Sequence, residues 1–157
     1  MDLFHVLEYL HILGAMVLFG TGLGIAFFMY MADRSGDVAL IAGTARIVVI
    51  ADFVFTATAV VVQPVTGLAM VMLSGHTLDE SWIVVSLALF VMIGLLWLPV
   101  VWMQNEMRKM AVAARDSGTV LPPRYRQYMR LWFWMGWPAF FGVLVILYLM
   151  IEKPLLW

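Results

Sequence analysis

The sequence contains no cysteine, which removes disulfides, thiolate nucleophiles and cysteine-ligated zinc or iron–sulfur centres from consideration. Charge is almost as scarce. Asp, Glu, Lys and Arg together make up 12% of the 157 residues, about half the share of an ordinary soluble domain. A soluble chain of this size forms one domain and still needs a polar exterior. This one has too few charges to build it. Nor is there an excess of positive charge: nine Lys plus Arg stand against ten Asp plus Glu, which argues against a nucleic-acid partner. Three histidines without cysteine give no ligand spacing of the zinc or copper kind. Gly-rich phosphate loops and Ser-His-Asp orderings are missing as well, so hydrolytic and phosphoryl-transfer chemistry has no support. The first residues carry Asp2 and Glu8 in place of Lys or Arg, so a cleaved signal peptide is not expected.

What is present is hydrophobic length. Apolar residues account for 64% of the chain and the mean hydropathy is +0.98. A hydrocarbon core of about 30 Å requires about 20 apolar residues in helical conformation. Four stretches reach it, at about 4–31, 47–73, 82–102 and 131–151. In lipid each backbone amide has to be satisfied within its own segment, so these are helices. The expected fold is all-α, a single domain built as a four-transmembrane-helix bundle. Between the spans lie polar connections, the longest at 104–130, whose first part reads as a continuation of the third helix.

Charge asymmetry sets the expected orientation. Arg34, Arg46, Arg108, Lys109, Arg115, Arg124, Arg126 and Arg130 fall in the connections 32–46 and 104–130, and only Lys153 lies on the other side. The positive-inside rule then makes these two connections cytoplasmic and puts both termini outside. Trp102, Trp132 and Trp134 mark the inner interface; Trp82, Tyr148 and Trp157 mark the outer one.

Polar residues inside a span are costly and turn toward the bundle interior. On the first helix, His11 shares a face with Glu8, Gly14, Ala15, Leu18 and Gly22. Small residues allow close approach, either of a neighbouring helix or of a flat cofactor. A neutral imidazole at His11 can ligate haem iron, with Glu8 or a backbone carbonyl orienting its other nitrogen. It can equally be a histidine bonded to a neighbouring helix. His5, His76 and Met70 lie on the same membrane side as His11 and are candidates for a second ligand. The second helix carries a polar stripe of Asp52, Thr56, Ala59, Gln63, Thr66 and Met70 at intervals of three to four residues. Asp52, near the inner end, is expected to pair with Arg46 or a basic residue of the third connection, with a proton-relay role as the alternative. Gln63 precedes Pro64, where a kink is expected, and Pro99 and Pro138 lie inside the third and fourth helices.

Several segments match a pattern along nearly the whole chain. They are Leu10-His11 with the following glycines, Gln63-Pro64-Val65-Thr66-Gly67, and the run from Trp97 to Gln104. Leu121-Pro122, Arg130 to Phe133 with Gly136 and Pro138, and Lys153-Pro154 continue it. In these the chain resembles an uncharacterised bacterial family of four-helix integral membrane proteins, a domain of unknown function, which implies a place in the bacterial cytoplasmic (inner) membrane. More distantly it is similar to the HemJ family of membrane protoporphyrinogen oxidases, which bind haem b, and to CopD-type copper-resistance membrane domains. That likeness rests on Leu10-His11, on Arg130, Trp132 and Phe133, and on Lys153-Pro154. It implies His11 as a haem ligand. HemJ proteins carry lysine and histidine in the third helix and an Asn-Glu pair in the fourth, where this chain has Ser86, Leu87, Met135 and Gly136.

The leading expectation is a small haem-b-binding or quinone-linked electron-transfer protein of the membrane, alone or within a larger respiratory complex or homo-oligomer. His11 would be its iron ligand, with Glu8, Gly14, Met70 and His76 as possible neighbours of the cofactor. A non-catalytic accessory or scaffold subunit is the alternative, and a HemJ-like oxidase or a copper-handling protein, suggested by 13 methionines, are further ones.

Overall fold

A computed structural model describes residues 2–157, which form four long helices joined by short connections. Helix α1 spans Leu3–Ser35, α2 Val38–Ser74, α3 Ser81–Ser117 and α4 Pro123–Glu152. Each is long and apolar enough to cross a bilayer. At about 1.5 Å per residue, the 37 residues of α3 outrun a hydrocarbon core of about 30 Å. Its end at Ser117 therefore projects beyond the membrane.

The caps explain why the second helix begins earlier than its hydrophobic run. Gly36 adopts a left-handed backbone (φ 69°) that ends α1, a conformation open to glycine at no steric cost. Asp37 follows as the N-cap of α2, accepting from the amides of Ala39 at 2.8 Å and Leu40 at 3.3 Å. The polar connection expected up to residue 46 thus shrinks to a two-residue turn, and 38–46 becomes the first part of α2. Pro123 opens α4 in the first-turn position that tolerates its missing N–H. Pro64, Pro99 and Pro138 all lie within unbroken helices. Helix α2 also carries a widened π-type turn at Asp52–Thr56, a feature often found at functional positions.

The main core gathers Ile25 and Met29 of α1, Ile41, Ala45 and Val48 of α2, Met103 and Met107 of α3, and Tyr125, Met129 and Trp132 of α4. It lies in the half nearest the two-residue turn. A smaller cluster of Trp82, Ile83 and Leu149 closes the opposite end. Stacked pairs Phe19–Phe140 and Tyr30–Phe133 join α1 to α4. Helix α2 is the most interior: 28% of its span is buried, against 11% for each of the others.

At the end away from the two-residue turn, Glu80 organises the connection from α2 to α3. Its carboxylate accepts from the Thr77 amide at 3.0 Å, from the Trp82 indole at 2.8 Å and from His76 Nδ1 at 2.8 Å. These donors, the Thr77 amide first, hold its carboxyl below the usual range. Ser81 donates to the Pro154 carbonyl and accepts from the Leu156 amide, so the C-terminal segment is fastened to the start of α3.

Candidate functional site

The polar stripe of α2 faces the interior. Asp52, Thr56, Ala59 and Thr66 are all buried, and Gln63 is partly so. From Asp52 to Thr66 a helix rises about 21 Å, most of the thickness of a hydrocarbon core. Two groups of side chains from other helices meet this stripe, one toward each end.

The first is built on α1. His11 Nδ1 lies 2.9 Å from Thr66 Oγ1. The Thr66 hydroxyl itself reaches the Val62 carbonyl at 2.7 Å. One hydroxyl proton serves one strong bond, and the shorter one takes it. Thr66 therefore accepts from His11, so Nδ1 carries the proton and Nε2 the lone pair. One turn away, Gln63 donates its amide to the His11 main-chain carbonyl at 2.7 Å. Glycines make room for both contacts. A Cβ added at Gly67 would sit 3.1 Å from His11 Cε1, and one at Gly14 would sit 2.5 Å from Gln63 Nε2.

Other residues expected near His11 are differently engaged. Glu8 is exposed and the Thr66 hydroxyl, not Glu8, orients the imidazole. Met70 is half-buried one turn beyond Thr66 on the same stripe. His76 is held by Glu80 and edge-on to Trp82, 5.6 Å between ring centres. His5 is tied to the capping Asp2 at 2.6 Å.

The second group lies in the π-type turn. Asp52 is 6% exposed, and both its oxygens accept from the Trp97 indole, at 3.3 and 3.2 Å. Among the described residues no Lys, Arg or His lies within ion-pair distance of Asp52. The ion pair expected with Arg46 is replaced by this neutral donor, and Arg46 itself is exposed. The reason is register: Arg46 is six residues from Asp52, so the two point to different sides of α2.

Two turns beyond Trp97 on the same face of α3 sits Gln104, 2% exposed, whose Oε1 accepts from the Trp132 indole at 3.0 Å. An indole N–H only donates, which assigns the amide oxygen to Trp132 and leaves Nε2 as the free donor. That nitrogen is buried without a partner among the described residues. Asp52, Trp97 and Gln104 share the wall of a groove of about 290 Å³ between α2 and α3.

Trp97, Gln104 and Trp132 were not legible as site residues. Trp132, expected as an interfacial anchor, is buried. A seven-residue spacing from Trp97 to Gln104, two helical turns, was the available signal, and it names no partner.

Described only as "Predicted integral membrane protein (DUF2269)", one family model matches residues 5–154. The chain belongs to this family. It is an integral membrane protein with four spans, the surroundings of which are a lipid bilayer. No curated protein and no solved structure matches the chain.

Proposed function

We propose that this DUF2269 protein is a small redox-linked subunit of the bacterial cytoplasmic membrane that holds haem b at His11. The observation that carries the reading is the tautomer imposed by Thr66. A histidine that ligates metal donates its other ring N–H to an oxygen, which fixes the ring and raises its basicity. His11 donates Nδ1–H to Thr66 and keeps its lone pair on Nε2. Met70, one turn beyond Thr66, would supply a thioether as second ligand. His5 and His76 would not, because Asp2 and Glu80 already hold them.

Bound haem would supply one-electron transfer. The chain's own residues do the rest: Thr66 orients the imidazole, Gln63 locks the α1 backbone beside α2, and the apolar helices exclude water. With eight of nine cations in the connections 32–46 and 104–130, both termini and the His11 end face outward. Electrons would enter or leave on that side, from a larger respiratory assembly.

The test is a visible spectrum of purified, haem-supplied protein, oxidised and dithionite-reduced, with a pyridine haemochrome assay. A sharp α band at near-stoichiometric haem, lost in His11→Ala with helix content retained, is expected. A featureless spectrum from well-folded protein overturns the reading.

One observation favours a second reading, a non-catalytic accessory subunit. The His11 ring packs so closely on Gly67 that a helix-locking role accounts for it without a ligand. That reading expects a colourless protein that co-purifies with a partner.

A further inference from the structure

The groove between α2 and α3 stands apart from the His11 group and none of its residues is used there. It combines three properties. Gln104 brings a buried amide donor with no partner. Asp52 brings a carboxylate that accepts from the Trp97 indole and has the Thr56 hydroxyl beside it, which leaves part of its about four acceptor positions open. Apart from Asn105 the remaining wall is apolar, with Phe53, Leu98 and Trp102 lining the groove and largely exposed. The opening thus lies near the membrane surface, with Phe53 and Leu98 toward lipid and Asn105 toward the polar connection.

A buried donor left unpaired is destabilising, and Gln104 lines the groove, so a guest that meets its amide after a small side-chain adjustment satisfies it. The chemistry of the pair restricts the guest. An anionic head would meet the Asp52 carboxylate in a low-dielectric site. A cationic head would satisfy Asp52 and leave the Gln104 amide orphaned. A neutral flat ring with an oxygen acceptor at one position matches the Gln104 amide, and a hydroxyl at another, present when the ring is reduced, donates to Asp52; its faces stack on the aromatic side chains. At about 290 Å³ the groove sits at the small end of ligand sites, with room for a head group whose tail continues into lipid.

The geometry points to a binding site for the head of a lipid-soluble quinone or quinol, its carbonyl accepting from Gln104 Nε2 and its hydroxyl, when reduced, donating to Asp52. This deepens the redox reading by naming a membrane-borne partner molecule, and it rests on that reading for its role. The site itself rests on residues that the haem proposal does not touch.

Full-length protein in detergent is titrated with 2-methyl-1,4-naphthoquinone while tryptophan fluorescence is followed, since Trp97 and Trp102 line the groove. Saturable quenching is expected. Gln104→Met removes the free amide donor together with the Trp132 acceptor at similar volume, and binding should weaken about tenfold. Leu98→Trp narrows the mouth at a lipid-exposed position without touching either polar group, and should abolish saturation. It also covers the case in which the Gln104 variant does not fold. Linear quenching in the unaltered protein, or unchanged saturation in the folded variants, overturns the proposal. Haem is measured on the same samples. A colourless protein that binds the quinone retains this site and removes the haem reading; a haem protein with only linear quenching does the reverse.

Discussion

Gln63 crosses from α2 to α1 and donates its amide to the main-chain carbonyl of His11 at 2.7 Å, in the same seam where Thr66 holds the His11 ring. One helix thus controls both the backbone and the side chain of a single residue on its neighbour. The α1 side supplies a backbone carbonyl, which no substitution removes, and the space left by Gly14.

Removing that donor isolates its contribution. Interhelical hydrogen bonds in membranes contribute about 0.6 kcal/mol on average and up to about 1.7, and Gln63→Leu should lower stability within that range. Gly14→Ala puts a Cβ 2.5 Å from the same amide, displacing a flexible side-chain end and breaking the same bond. The double variant should cost less than the two losses added together. Unfolding by denaturing detergent from mixed micelles measures it, and strict additivity would show that the two contacts are independent.

Trp97 and Asp52 should respond unequally. Trp97→Phe takes the indole donor from a buried carboxylate, at a cost of about 1–3 kcal/mol. Asp52→Asn keeps an oxygen for the indole and removes a charge, so its cost should be clearly smaller. Equal losses in the same unfolding experiment would mean that the indole packs against Asp52 without stabilising it.

Glu80 predicts a pH dependence at the connection between α2 and α3. Its carboxyl lies below the ordinary range in the folded protein. The folded state therefore binds its proton less readily than the unfolded chain. The stabilisation is fully present above the ordinary carboxylate range and is lost as pH falls through the lowered folded value. Thermal midpoints of the unaltered protein and Glu80→Gln should differ at neutral pH and converge in acid. A gap that stays constant through the acid range would remove the carboxylate from the account.

Orientation has a clean probe because the chain has no cysteine of its own. Leu155 and Val120 are highly exposed, at 89% and 86%, and lie at opposite ends of α4. In intact spheroplasts a membrane-impermeant maleimide should label Leu155→Cys, and Val120→Cys only after lysis. The opposite pattern would invert the topology and move the His11 end to the inner face.

Single residues show how far the sequence could be read. The inward face of α2 was legible because Asp52, Thr56, Gln63 and Thr66 recur at helical spacing in an apolar background, where polar groups have few tolerable positions. The early start of α2 was harder, because Arg46 suggested a solvent connection while Asp37, nine residues earlier, was the true N-cap. Hydropathy measures where lipid begins, and caps measure where the helix begins; beyond the membrane surface the two part. Partners were not legible at all. Nothing in the spacing of Trp97 or Trp132 says that one meets a carboxylate and the other an amide.

Scarce charge, long apolar runs and biased basic connections were enough by themselves to make this an all-helical, four-span membrane protein, because the bilayer imposes length and backbone pairing on any sequence that enters it. Which polar side chains meet was decided by the tertiary structure alone. Thr66 instead of Glu8 for His11, Trp97 instead of Arg46 for Asp52, and Trp132 for Gln104 each depend on the rotation and depth of one helix against another. Those are set by side-chain packing across helix faces, and helical periodicity within one segment carries no information about the facing one.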